Sequence, residues 1–434
     1  MIKRDSKYNP WSSEDELEHP LSAMEWWGVE AFFSSVDGKE KWSVKAVLSE
    51  WQTKAKRIGS NFVLTLFDQK TGENYIFDAR DDKKRLESSK DEFRIQFEDS
   101  WIKGSFPNYE MRFHDSKKDV ELNMTFRAKA YPRWVAQDVT GGWLPMGLGF
   151  YRYGFIPKCE VSGTLVTKKK TYKIAGDGYF EHVWGDFTYH RAGAELSSLK
   201  KTISTYTKLL GWWISNHKIK IPKTISFCTE NNPFGYDWTW ALLDNGWMIF
   251  YGNILFWMTH GPVAGSLILS KDGETYEELG NVHFKYTKTR AAEKFDFHYP
   301  TEIELTATKE EEKLFLTFSM DENIREYNVK FDKKRYWLGL VICEAPGIAK
   351  GKYFDGENTT QLKGICKIEP QRQISMFGHN TLRIDFLKPP KGVGVTLDFD
   401  SHFFKKQLLL SIQLAPVPKV KLRWKRSKKK LIIK

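Results

Sequence analysis

Apolar residues recur at every second position along most of this chain, and that period belongs to strands with one buried face. Phe62, Leu64 and Leu66 alternate before the turn DQKTGEN. Phe93, Ile95 and Phe97 follow, then Tyr109, Met111 and Phe113, then Val120, Leu122, Met124 and Phe126. Polar turns separate the runs at the spacing of an antiparallel meander. The pattern restarts after GFIPKCEVSG with Val161, Gly163 and Leu165, and later strands run through YWLGLVICE at 336–344. No glycine-rich phosphate loop follows a strand and no strand–helix alternation occurs, so nucleotide-binding folds are excluded. Two antiparallel units joined near residue 155 fit best, each closed into a barrel to remove its edges.

The helical period surfaces once. Leu196, Leu199, Ile203, Tyr206, Leu210 and Trp213 are spaced by threes and fours, which predicts an amphipathic helix of about five turns. Two readings of its apolar stripe stay open. It caps a barrel mouth, or it lies on a membrane with Lys200 and Lys201 at the headgroups and Trp212 and Trp213 at the interface.

Charge is concentrated. The net charge is +12, but residues 401–434 hold eleven Lys and Arg with no acid, and residues 196–229 hold six Lys with no acid. The remaining body is about five charges negative, so the basic pI does not argue for nucleic acid. The run KLRWKRSKKK at 421–430 carries no nucleic-acid motif and reads as a solvated tail or an anchor at anionic lipid. The first twenty residues lack an apolar core, so no signal peptide is expected there. Cys159, Cys228, Cys343 and Cys366 are not spaced as zinc ligands, which points to buried thiols in a reducing, cytoplasmic setting. The chain is expected to hold no metal and no cofactor.

Two clusters carry chemistry. His19-Pro20 precedes Glu25-Trp26-Trp27, and Gly178-Tyr179-Phe180-Glu181-His182-Val183-Trp184 follows in mid-chain. On a strand, His182 and Trp184 share one face. Further on, Tyr236, Trp238 and Trp240 share a face, and Asp237 and Thr239 share the other. Aromatic faces stabilise carbocations, and a buried carboxyl stays protonated until used. A core histidine among core tryptophans is the plainer reading of the same residues.

The ordered motifs HP-x4-EWW, G-x-G-Y-x-E-H-x-W-G, YDWTWALLDNG and YPTEIELTA resemble the carotenoid 1,2-hydratase (hydroxyneurosporene synthase) family. That family is lipocalin-like and related to tocopherol cyclase and lipocalin-like Diels–Alderases. The resemblance covers about residues 19–345. It implies an all-β fold of two lipocalin-like barrels, an N-terminal one at 1–155 and a C-terminal one at 156–380. A helical insertion at about 192–228 and extra strands with a basic tail at 381–434 complete the chain.

The resemblance also implies cofactor-free acid–base chemistry on an isoprenoid or polyene: hydration, cyclisation or isomerisation. The family's His-x-Trp pair matches His182 and Trp184; Tyr236 and Asp237 are the nearest counterparts of a further Tyr and Asp. Asp237, or else Glu181, would protonate an alkene, and His182 would orient or deprotonate water. Trp184, Trp26, Trp27 and Tyr236 would face the cation, while Glu25 would line the site or pair within the barrel base. Gly28 stands where the family motif runs on to Tyr. Non-enzymatic carriage of a lipid or isoprenoid at a membrane surface is the alternative on the same fold.

Overall fold

The computed structural model describes residues 2–89, 92–115, 117–146, 149–187, 196, 199–216, 224–228, 235–255, 264–279, 282–293, 298–321, 326–329, 338–375, 380–386, 393–401, 406–414 and 419–426. Among them, two curled antiparallel sheets dominate. Thirteen strands between Met24 and Asp186 form the first, and eleven between Gly235 and Ser375 form the second. The architecture is the two-barrel, all-β one that the alternation predicts.

The alternating residues are the ones buried. Phe62, Leu64, Ile95, Met111, Phe113, Leu122 and Phe126 all line the core of the first barrel. The expected join at 155 falls inside the strand Gly149–Thr167. That strand pairs with Lys170–Asp186, which closes against the first long strand, Met24–Ser35. The first sheet therefore runs on to Asp186. A hairpin could be recognised at 161–174 from sequence, but not that its second strand closes against Met24–Ser35, far back in the chain.

Met24–Ser35 is buried almost continuously, with Trp27, Val29, Ala31 and Phe33 facing the barrel interior. Its opposite face meets the second barrel. Phe32 stacks on Trp240 at 5.4 Å between centroids, and Phe155 stacks on Phe250 at 4.4 Å. The Trp240 Nε1–H donates to the Pro157 carbonyl at 2.7 Å. A separate aromatic cluster thus fills the seam between the sheets.

The predicted helix is present as Leu199–Asn216. Half of the apolar stripe faces away from the protein, while Leu196 and Tyr206 are half-buried and the Trp213 side chain lies outside the described residues. Thr202 and Thr205 are buried, whereas Leu199, Ile203 and Leu210 are 49 %, 55 % and 55 % exposed. The strand Thr224–Cys228 follows, and it joins a five-stranded sheet with the four strands of the C-terminal region. In that sheet Lys419–Arg426 pairs with Lys406–Leu414, so the front of the basic tail is a strand. Cys159, Cys343 and Cys366 are buried, and the Cys228 side chain lies outside the described residues.

Candidate functional site

The strand Lys170–Asp186 serves two sites at once, because neighbouring side chains point to opposite faces. Phe180, His182 and Trp184 enter the first barrel, whereas Tyr179 and Val183 enter the seam cluster.

Inside the barrel, His182 lies opposite Trp27 in the ladder and Trp184 opposite Glu25. The His182 ring stacks on Trp27 at 4.6 Å, and His19 stacks on Trp184 at 3.9 Å. Glu25 is the hub. Its Oε1 lies 2.8 Å from His182 Nε2 and 2.8 Å from His19 Nδ1. Its Oε2 accepts the His19 backbone N–H at 2.8 Å. The His182 Nδ1–H donates to the Asp15 carbonyl at 2.8 Å, so a second proton sits between Nε2 and the carboxyl. Burial alone would raise the Glu25 pKa. The hydrogen bonds from the two imidazoles outweigh it and hold the carboxyl below the usual carboxylate range.

This trio is also a candidate ligand set for a metal ion, since its donor atoms converge. About a tetrahedral zinc ion, ligand atoms stand roughly 3.3 Å apart. Both N···O contacts here are 2.8 Å, the spacing of hydrogen bonds. A second group, Glu30, Glu344 and Glu369, also converges. Ammonium groups already serve it. Lys45 bridges Glu344 at 2.7 Å and also pairs with Glu369, and Lys367 reaches Glu344 and the Val44 carbonyl, each at 3.0 Å. Burial pushes the Glu30 carboxyl well up, with Glu344 adding to it.

The seam holds Glu181. Cross-strand from it is Gly28, and a Cβ there would lie 2.7 Å from Glu181 Oε1. The absent side chain is what makes room for the carboxyl. Trp26 Nε1–H donates to Oε1 at 2.9 Å; Tyr153 and Tyr179 hydroxyls contact Oε2 at 2.5 and 3.2 Å. The two phenols also bond to each other at 2.9 Å. Burial raises the Glu181 pKa, with Lys45 pulling the other way. Trp26 and Tyr153 are only half-buried, so this polar group sits near an accessible edge of an aromatic wall. Tyr236 lies on the same seam, its hydroxyl donating to Glu369 at 2.6 Å.

Asp237 points the other way, into the second barrel. It accepts from Arg372 Nη2 at 2.8 Å, from Asn253 Nδ2 at 3.0 Å, and from the Tyr286 hydroxyl. The sequence-predicted residues therefore fall into three places. His182, Trp184, Trp27 and Glu25 come together in the first barrel. Glu181, Trp26 and Tyr236 face the seam. Asp237 stands alone of the set, paired with Arg372. Lys201 lies over the Trp143 ring at 3.3 Å, Lys200 is exposed, Trp212 is half-buried, and the Trp213 side chain lies outside the described residues.

Sequence reasoning missed Tyr153, Lys45 and Lys367, and gave Tyr179 no role within its motif. The run Phe150-Tyr151-Arg152-Tyr153-Gly154-Phe155 did carry a signal, because Tyr151, Tyr153 and Phe155 share a face. The lysines carried none.

No family model matches the chain. A ceramide-binding protein, svf1, of Aspergillus fumigatus is 24 % identical over 148 residues, which is 31 % of this chain. The match spans only 37 % of that relative's length. Among solved structures, an AttH-type protein of Nitrosomonas europaea superposes with a TM-score of 0.53 at 13 % identity, over 85 % of this chain and 99 % of its own. Kievitone hydratase of Nectria haematococca superposes with a TM-score of 0.55 at 11 % identity, over 84 % and 93 %. At such identities the likeness concerns the fold alone, a two-domain lipocalin-like all-β fold.

Proposed function

We propose that this protein binds a hydrophobic ligand with a small hydrogen-bonding head at the seam between its barrels. A lipid, an isoprenoid or a polyene fits that description. The observation that carries the reading is Glu181: a buried carboxyl with a raised pKa, ringed by Tyr153, Tyr179 and Trp26 within an aromatic wall. The wall offers apolar area, and the carboxyl–phenol group offers both a donor and an acceptor. Such a carboxyl also suits proton transfer to an alkene through Tyr153, the first step of a hydration or cyclisation. Likeness to a hydratase fold supports this enzymatic reading.

Carriage without chemistry is the second reading, and the match to a ceramide-binding protein favours it. Native mass spectrometry of the protein taken from its host tests the shared claim; a co-purifying apolar ligand is expected. Glu181→Gln then separates the readings. It keeps the ligand and loses turnover if Glu181 is an acid, and alters only affinity if the protein is a carrier. A ligand found elsewhere, with the seam dry and Glu181→Gln without effect, would refute both.

A further inference from the structure

We infer that the helix Leu199–Asn216 is a docking surface for an anionic lipid bilayer. A helix of this kind normally buries its apolar stripe on its own protein. This one stands on a different face. Thr202 and Thr205 are buried, Leu209 packs on the seam cluster, and Lys201 lies over the Trp143 and Phe150 rings. Positions 199, 203 and 210 fall within about 40° of one another around the axis. Their side chains, Leu199, Ile203 and Leu210, are about half exposed and lie side by side. They are three of the most exposed large apolar groups among the described residues.

Charge selects the occupant. Lys200 is exposed on the flank of the stripe, Lys208 is exposed on the far side of the helix, and no acid occurs anywhere from 196 to 229. Apolar side chains flanked by lysines lie at the boundary of headgroup and acyl chain, with the ammonium groups at anionic phosphates. A second copy of the same helix would bring lysines against lysines, so self-pairing is disfavoured. Among the described residues no helix is long and apolar enough to cross a bilayer, which leaves this one lying in the plane. Its inner face touches the seam cluster, so docking would bring the proposed ligand site up against the lipid. The docking itself does not depend on what the seam binds.

Flotation of the full chain with vesicles tests it. Wild type is expected to float with phosphatidylcholine containing phosphatidylserine, and much less with phosphatidylcholine alone. Ile203→Glu with Leu210→Glu is expected to lower the bound fraction at least roughly tenfold. Lys200→Ala should cost about fivefold on the anionic vesicles only, and Lys208→Ala, on the far side of the helix, less than that. These side chains are exposed, and circular dichroism verifies that each variant stays folded. Undiminished flotation of the double Glu variant overturns the proposal, as does a wild type that does not float. Loss of flotation only when Lys421, Arg423 and Lys425 are replaced overturns it too. So does a concentration-dependent dimer that the double Glu variant abolishes. The ligand reading of the seam is measured separately, by mass spectrometry, and survives any of these failures.

Discussion

Replacing Glu25 should be among the most costly single changes in the first barrel. The carboxyl is 1 % exposed, and it receives the His19 backbone N–H, the His19 ring and the His182 ring. His182 is fully buried and burial lowers its pKa, so Glu25→Ala leaves its Nε2 buried with no hydrogen-bond partner. Breaking a buried pair in this way costs about 3–5 kcal/mol. For a unit of this size, 1 kcal/mol moves the melting temperature by about 2–4 °C, so a drop of roughly 6–20 °C is expected. Glu25→Gln keeps the volume and one acceptor, and should cost about 1–3 kcal/mol. Glu25→Leu combined with His182→Phe should cost less than the sum of the singles, since both partners of the His182–Glu25 contact go together, although the His19 N–H and the Asp15 carbonyl still lose their partners. Urea titration followed by tryptophan fluorescence measures each of these variants. The folded pKa of Glu25 is lowered, so its stabilisation is full above the unfolded value and is lost as the pH falls through the folded one. The gap between wild type and Glu25→Ala should therefore narrow below about pH 4. A loss under about 1 kcal/mol for Glu25→Ala at neutral pH would refute the hub role.

Other changes test the seam. Gly28→Ala places a methyl group 2.7 Å from the Glu181 carboxyl, so it should displace that carboxyl and weaken ligand retention while the circular dichroism stays native. Its stability cost should be about 1–3 kcal/mol. Lys367→Met leaves Glu344 and Glu30 short of a cation and should cost about 3–5 kcal/mol in urea titration. Buried but held by Lys367 and Lys45, Glu344 has its pKa pulled down to about 2. Its stabilisation is present above the unfolded value and lost as the pH falls toward 2, so the penalty of Lys367→Met should shrink in acid.

Much of the fold was legible because burial alternates wherever a strand has one wet face. Phe93-Ile95-Phe97 and Val120-Leu122-Met124-Phe126 needed only that rule. The pairing of His182 with Trp184 needed it too. What stayed hidden depends on contacts between distant segments. Lys45 reads as a surface lysine of an ordinary strand until Glu344 and Glu369 arrive from the second barrel. The helix shows the same limit. Its period and stripe are plain in the sequence, but the choice of packing face is not. Thr202 and Thr205 lie against the protein because the helix also has to seat Lys201 over Trp143 and Leu209 against the seam.

Strand alternation also explains why the predicted catalytic set does not converge. Glu181 and His182 are adjacent in the chain, so a strand sends them to opposite sides of one sheet. Tyr236 and Asp237 are adjacent as well and are divided in the same way. A ligand at the seam meets Glu181 and Tyr236 together; it cannot also touch His182, which lies behind the sheet with Trp27 and Glu25. His182 can still act on the seam at one remove. The Glu25 hub fixes the end of the Met24–Ser35 strand, and that strand carries Trp26 and Gly28, which hold and admit the Glu181 carboxyl. Loss of the hub should thus appear in ligand affinity as well as in stability, and the Glu25→Gln variant, folded and assayed well below its melting temperature, separates the two.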